Sequence, residues 1–237
     1  MRFATTSPFR YRDGMQIDIV SDTVCPWCFI GKRRLEKALA LRPDVEFDIR
    51  WRAFRLDPSI PPEGVDRKEY MRAKFGDNPN RQAMQDALRQ AGEAEEIRFA
   101  FDRIARSPNT LDSHRLIRWS ATAGVQNQVV ERLFEAYFEE GRDIGNPDVL
   151  VEIAAEAGMD SATVADLLEN GADRTLIENE DALAHRLGIS GVPTFIFENK
   201  YAISGAYDPE QLVKVIDTVS EELEKAAAEE TSEEDEA

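Results

Sequence analysis

The two cysteines of this 237-residue chain stand three residues apart, in the run Cys25-Pro26-Trp27-Cys28. Residues 15–20 alternate apolar and polar side chains, which predicts a β-strand immediately before this run. The residues that follow it place small and apolar side chains three and four positions apart, which predicts a helix, and a proline is tolerated in the first turn of a helix. The sequence therefore predicts that the two cysteines open a helix that follows a strand.

This placement gives the two thiols different chemistry. The first backbone N–H groups of a helix have no partner within it, and the helix dipole is positive at that end, so both favour the thiolate of Cys25. The thiolate is the nucleophilic form of cysteine. Cys28 lies one turn deeper. We therefore expect Cys25 to attack a disulfide and Cys28 to resolve the mixed disulfide that forms.

Three other interpretations of the cysteines are open at this point. They are an inert pair in the core, a structural disulfide, or part of a metal site. A Cys-x-x-Cys zinc site needs two further ligands, and the two histidines, His114 and His185, are not spaced as a ligand pair. A redox motif is favoured over these alternatives, and no metal is expected.

Composition limits the classes of partner. The net charge is −17, which argues against nucleic-acid binding and against adhesion to anionic membranes. Residues 221–237 hold nine acidic side chains and one lysine, which predicts a disordered acidic tail. Residues 1–14 lack the apolar segment of a secretory signal and are predicted to be a disordered extension, so a cytoplasmic location is expected.

The rest of the chain divides into three parts. Residues 45–54 alternate strictly and predict a second strand, which makes a β-α-β unit with a parallel pair. Residues 63–187 carry mainly helical patterns and are interpreted as an inserted helical domain. Strand patterns return at 194–198 and 201–204 as a hairpin, and a last helix begins at Asp208-Pro209.

Several segments together resemble the DsbA family of the thioredoxin superfamily, and within it the FrnE-type branch. The resemblance covers about residues 15–220. It is carried by the segments at 21–31, 51–56, 108–110, 114–116 and 188–195, which include the Cys-Pro-Trp-Cys run and Gly191-Val192-Pro193-Thr194. It implies a thioredoxin-like α/β fold, with a mixed central sheet, flanking helices and a large all-α insertion. The thioredoxin-like domain would comprise residues 15–62 and 188–220.

The resemblance also implies a substrate site. The Val192–Pro193 bond is expected to be cis and to lie against the cysteines, where backbone groups can pair with an extended peptide. Trp27 is expected to be exposed at the rim, and Pro26, Val192, Pro193 and Thr194 complete the expected substrate-binding set. Asp57 stands where FrnE-type sequences usually have asparagine, and it adds a negative charge near this site. His114 and His185 are expected to be ordinary side chains and not catalysts.

The primary hypothesis is a thiol–disulfide oxidoreductase acting on disulfides or thiols of proteins or small molecules. No cofactor is expected to be required, and glutathione is a candidate co-substrate. One alternative is a glutathione-dependent isomerase or transferase resembling 2-hydroxychromene-2-carboxylate isomerase, in which serine typically replaces Cys25. Another is a non-catalytic binding module with the same fold. A homodimer is left open.

Overall fold

The computed structural model describes residues 14–76 and 81–235. The predicted N-terminal extension therefore lies outside the described residues, except for Gly14. Residues 77–80, 236 and 237 also lie outside them. Within the described residues, the strands are, in chain order, β1 (Met15–Ser21), β2 (Phe47–Ala53), β3 (Val65–Asp66), β4 (Arg106–Ser107), β5 (Thr194–Phe197) and β6 (Tyr201–Ser204). The helices are α1 (Pro26–Ala40), α2 (Arg67–Phe75), α3 (Arg81–Glu93), α4 (Leu111–Thr122), α5 (Gln126–Phe138), α6 (Pro147–Glu156), α7 (Ser161–Glu169), α8 (Arg174–Arg186) and α9 (Pro209–Asp235).

A mixed sheet forms the centre of the fold, as predicted. Its order within the described residues is β2-β1-β5-β6. β1 runs parallel to β2 with α1 as the crossover, and Ile17 pairs with Ile49. On its other side β1 runs antiparallel to β5, where Ile17 faces Phe197. β1 is thus a buried central strand, and the Cys-Pro-Trp-Cys run begins four residues after its end.

The inserted segment between β2 and β5 is helical, with one exception. β3 and β4 form a short antiparallel pair in which Val65 lies opposite Ser107. The prediction of an all-α insertion is wrong on this point, because each strand has only two residues and no alternating pattern can show in so short a segment. Between α3 and β4, Phe101–Arg103 form a single 3₁₀ turn.

The insertion packs onto α1 through aromatic rings. Phe29 of α1 stacks on Phe134 of α5, with ring centroids 5.1 Å apart, and it also meets Phe138 at 6.3 Å. Phe99 approaches Phe29 edge-on at 6.4 Å. These rings belong to the same buried cluster as Ile17 of the central strand. The sheet and the insertion therefore share one hydrophobic core, and that core fixes the position of α1.

The acidic C-terminal segment differs from its prediction. It was expected to be disordered over 221–237, yet α9 continues as helix through Asp235. Three alanines at 226–228 and several glutamates are strong helix formers. Leu223 also packs against the core, and Lys225 pairs with Glu222 at 3.5 Å. Local helix propensity therefore outweighs the charge that suggested disorder.

Gly31 lets α1 lie very close to the loop before β5. A Cβ at this position would stand 2.8 Å from Cγ of Pro193 and 3.3 Å from Cζ of Phe195. Contacts of this length force neighbouring atoms to move. Because Gly31 has no side chain, α1 can approach the Val192–Pro193 loop more closely than a residue with a Cβ would allow.

We predict that Gly31→Ala destabilises the protein by about 1–2 kcal/mol, because the strain of overpacking exceeds the gain of roughly 1 kcal/mol in helix propensity. Urea unfolding measures the change. Gly191→Ala is the matched control, since a Cβ there would meet no atom within 4 Å. Its expected effect is below about 0.5 kcal/mol. A Gly31→Ala protein as stable as the parent would contradict this view of the helix–loop contact.

Candidate active site

Cys25 and Cys28 open α1 as the sequence predicted. Cys25 is the N-cap residue with an extended backbone (φ −92°, ψ 112°), and Pro26 occupies the first helical position. The Cys28 N–H donates to the Cys25 carbonyl at 3.0 Å. Because proline lacks an N–H and has a fixed φ, it suits this position and starts the helix immediately after Cys25.

The two thiols differ in their access to the surface. Cys25 is 5% exposed and lies in the wall of a cavity, whereas Cys28 is 1% exposed and is not part of that wall. Burial raises the pKa of the Cys28 thiol well above its ordinary value, and the hydrogen bond with Cys25 and the charge of Cys25 raise it further. Hydrogen bonds from Ser21 and from the Asp22 backbone partly oppose this rise. Cys28 therefore holds its proton in the reduced protein.

The loop before β5 lies against Cys25. The Val192–Pro193 bond is cis, as the resemblance implied. The Cys25 thiol donates to the Val192 carbonyl with a sulfur–oxygen distance of 3.6 Å. Thr194 is buried, and its hydroxyl donates to the Gly191 carbonyl at 2.8 Å. Thr194 therefore holds the shape of the loop from inside, whereas Val192 faces the nucleophile.

Trp27 projects at the rim of the site. Its side chain is 42% exposed, which agrees with the expectation of an exposed rim residue. Trp27, Pro26 and Val192 line the same cavity as Cys25. Four of the predicted site residues therefore meet at one wall, while Cys28, Pro193 and Thr194 stand behind it.

The cavity beside Cys25 has a volume of about 560 Å³. Its remaining walls come from the loop after β2 and from α2, α3 and α5 of the insertion. Met71, Phe75, Met84 and Leu88 are among these residues. Sequence reasoning did not assign them to the site. Their spacing indicated only helix faces, and which face would meet the cysteines depends on how the insertion packs.

A buried acid and histidine lie behind the cysteine loop. Asp22 Oδ2 accepts the Leu56 N–H at 2.7 Å, and its Oδ1 is 3.5 Å from Nε2 of His114. The same nitrogen is 3.1 Å from the Phe54 carbonyl, and since a carbonyl only accepts, Nε2 carries the proton in that bond. His114 is thus a partnered, buried side chain, as expected. Asp22 also belongs to the cavity wall, which the sequence did not indicate.

Asp57 belongs to a chain of polar groups at the cavity. Lys74 Nζ donates to the Tyr70 hydroxyl at 2.7 Å, and Tyr70 in turn bonds to Asp57. Burial opposes the ionisation of Asp57, but hydrogen bonds from Ser59 and Tyr70 outweigh burial and lower the pKa of this carboxyl. Burial and the bond to Asp57 raise the pKa of Tyr70. The negative charge of Asp57 is therefore matched by neighbouring side chains.

Neither His185 nor a second cavity in the described structure brings a cysteine together with a pocket, as the site at Cys25 does. His185 is exposed and lies 3.5 Å from Asp181 and against the ring of Phe54. A second cavity, of about 540 Å³, follows β2 near Trp51 and Gln126 and contains neither cysteine.

Across residues 14–76 and 81–235, no three histidine, cysteine or acidic side chains gather as a metal site would need. No helix in that part of the chain is long and apolar enough to cross a membrane.

A parallel β-α-β opening, a cis-proline loop and a closing hairpin, with a Cys-x-x-Cys pair at the start of the first helix, define the thioredoxin-like class of redox proteins. Within that class the chain belongs to the DsbA family, since the model of the DSBA-like thioredoxin domain matches residues 16–217. This confirms the family resemblance, and the FrnE-type branch is consistent with it.

Individual relatives agree with this membership. The uncharacterized protein YwbO of Bacillus subtilis is 29% identical over 206 residues, which cover 85% of this chain and 96% of YwbO. The crystal structure of probable DsbA oxidoreductase SCO1869 from Streptomyces coelicolor has a TM-score of 0.76 and 30% identity, covering 85% of this chain and 88% of that one. The cytosolic disulfide reductase DsbM of Pseudomonas aeruginosa, solved with GSH, has a TM-score of 0.62 and 19% identity over 87% of this chain and 99% of that one. At that identity DsbM supports the fold alone.

We predict that iodoacetamide modifies Cys25 at least about 10-fold faster than Cys28 in the reduced, folded protein at pH 7, because only Cys25 reaches the cavity and only a thiolate reacts. Peptide mass spectrometry measures the two rates. In guanidinium chloride both cysteines are expected to react alike. Equal rates in the folded protein would contradict the assigned difference in access.

We also predict a shifted pH profile for Cys28 in a Cys25→Ser protein. The substitution removes the charge of Cys25, but burial is the largest cause of the raised pKa and remains. The alkylation rate of Cys28 should therefore still be rising at a pH where a free thiol, with a pKa of roughly 8.5, has reached its plateau. The matched measurement is the same variant unfolded in guanidinium chloride. If the alkylation rate of Cys28 had the same pH dependence in the folded and unfolded variant, burial would not raise the pKa of this thiol.

Proposed function

We propose that this protein is a thiol–disulfide oxidoreductase in which Cys25 is the nucleophile and Cys28 resolves. The observation that carries the proposal is the difference between the two thiols. Cys25 lies in the cavity wall, and Cys28 is buried beneath it with a raised pKa. An attacking thiol must reach its substrate, whereas a resolving thiol needs to reach only its neighbour.

The electrostatics suit this sequence of steps. Cys25 attacks one sulfur of a disulfide, the Cys25–substrate disulfide forms, and the other substrate sulfur leaves as a thiolate. Cys25 then carries no charge, so its contribution to the raised pKa of Cys28 ends. Ser21 and the Asp22 backbone continue to stabilise the Cys28 thiolate. Cys28 then attacks Cys25, the internal disulfide closes, and the second substrate sulfur leaves as a thiolate.

The Val192–Pro193 loop is proposed to position the substrate. The Val192 carbonyl is 3.6 Å from the Cys25 sulfur, so a substrate segment bound along this loop would hold its sulfur beside the nucleophile. Pro26 and Trp27 would bound the other side. Pro193 and Thr194 would act through the shape of the loop.

We predict that Cys25→Ser lowers the dithiothreitol-coupled reduction of a small disulfide by at least about 100-fold, because a serine hydroxyl does not replace a thiolate nucleophile at neutral pH. Cys28→Ser should instead accumulate a mixed disulfide on Cys25, since the resolving thiol is absent. Mass spectrometry of the intact protein identifies that adduct. The two variants control for each other, because each retains one thiol.

Full turnover by Cys25→Ser would overturn the assignment of the nucleophile. If the parent protein itself reduces the disulfide no faster than Cys25→Ser, the result favours the non-catalytic binding module instead. The glutathione-dependent isomerase or transferase would be supported only if Cys28→Ser gained glutathione-conjugating activity.

Partners and location follow as parts of the same proposal. The partners would be disulfide- or thiol-bearing proteins or small molecules, with glutathione as a candidate co-substrate because DsbM was solved with GSH. No cofactor would be required, as is typical of the DsbA family. A cytoplasmic location is proposed only by analogy with the cytosolic DsbM, which shares the fold. A homodimer stays a prediction.

A further inference from the structure

The cavity beside Cys25 is bounded by both parts of the fold. Cys25 and Trp27 form one wall, Leu56 and the loop around it form a second, and Met71 and Met84 of the insertion lie across from them. Its volume of about 560 Å³ falls within the range of roughly 300–1,000 Å³ typical of pockets for small organic ligands. A group bound there would be in contact with the nucleophile.

The walls of this cavity are mainly hydrocarbon. Several large apolar side chains at the cavity are unusually exposed for their type: Trp27, Leu56, Phe75 and Met84, the last at 57%. Exposed apolar side chains that gather in one place mark binding sites. An apolar ligand would remove all four from water.

Each charged side chain of the cavity has at least one hydrogen-bond partner, although Arg67 and Lys74 are hydrogen-bonded only to neutral tyrosines and Asp22 Oδ1 accepts no hydrogen bond. Arg67 donates to the Tyr137 hydroxyl at 2.8 Å, and Lys74 donates to Tyr70 at 2.7 Å. Asp22 accepts from the backbone and Asp57 from Ser59 and Tyr70. A strongly charged ligand such as glutathione would lose hydration against the apolar walls, and only Arg67 and Lys74, which are hydrogen-bonded to neutral tyrosines, would offer its carboxylates an ionic partner.

From these observations we infer that the cavity binds the apolar organic group of a low-molecular-weight disulfide whose sulfur Cys25 attacks. This inference rests on the proposed function and names its substrate class. The volume of the cavity suits a small organic group, and the peptide compound in the test below distinguishes a polypeptide occupant.

The reaction balances with the residues present and an external dithiol. The Cys25 thiolate forms a bond to the sulfur that bears the apolar group, and the other substrate sulfur leaves with the electron pair of the broken S–S bond. Cys28 attacks Cys25 and breaks its bond to the apolar sulfur, and the Cys28 proton passes to the thiolate that is expelled. The protein is oxidised to its internal disulfide, the substrate is reduced to two thiols, and dithiothreitol reduces the protein again.

A set of 2-pyridyl disulfides tests the inference. The reduced protein is mixed with n-hexyl, methyl or glutathionyl 2-pyridyl disulfide, and release of pyridine-2-thione is followed by absorbance. Each rate is divided by the rate of the same compound with 2-mercaptoethanol, which removes differences in intrinsic reactivity. We expect the hexyl compound to exceed the methyl compound by at least about 10-fold, since each buried methylene adds to binding. The glutathionyl compound should be no faster than methyl.

A matched pair of variants locates the effect. Met84→Glu places a charge in the cavity wall and should lower the hexyl-to-methyl ratio to about 1, because burying an unpaired charge is costly. Leu187→Glu places the same charge on a side chain that is 68% exposed and outside the cavity, and it should leave the ratio unchanged. Both are single substitutions of an exposed apolar residue on the described surface.

Three results would overturn the inference. The first is equal normalised rates for all three compounds, and the second is an unchanged hexyl-to-methyl ratio in Met84→Glu. The third uses the 2-pyridyl disulfide of an apolar heptapeptide that contains one cysteine. If this peptide compound reacts faster than the hexyl compound, the occupant of the cavity is a polypeptide. Failure of the proposed function would give a different experimental result. In that case no compound would release pyridine-2-thione faster with the parent protein than with Cys25→Ser.

Discussion

The close approach of α1 to the Val192–Pro193 loop is the constraint on which the site depends. Gly31 permits it, since a Cβ there would lie 2.8 Å from Pro193. Six residues earlier, at the N-cap of the same helix, the Cys25 sulfur reaches the Val192 carbonyl at 3.6 Å. A shift of the helix away from the loop would separate the nucleophile from the backbone that is proposed to hold the substrate.

The insertion contributes in two ways. Its aromatic rings pack on Phe29 and so hold α1 from the side opposite the loop. Its helices α2 and α3 also supply the apolar wall that faces Cys25. The redox pair thus comes from the thioredoxin-like part of the fold, and the surroundings of the substrate come largely from the insertion.

Features of the fold that depend on residues close together in the chain were predictable from the sequence. The alternation in β1 and β2 gave two strands, and Pro26 placed the start of α1 correctly because its effect on a helix is local. The cis-proline loop came from the family resemblance, since spacing alone does not bring Val192 next to Cys25. The β3–β4 pair, the role of Asp22 and the contribution of Met84 were missed. Each depends on contacts between residues far apart in the chain, and their own local patterns indicate only a loop or an amphipathic helix.

The central claim is that Cys25 and Cys28 form a reversible redox couple. The most direct test is the equilibrium between dithiol and disulfide in glutathione buffers, read by the loss of two hydrogens in the intact mass. We predict a single two-electron transition between about −270 and −120 mV, the span of thioredoxin-fold oxidoreductases, with a tenfold change in the equilibrium for each step of about 30 mV. A protein that stays a dithiol in every buffer, or forms only glutathione adducts without the internal disulfide, would contradict the account.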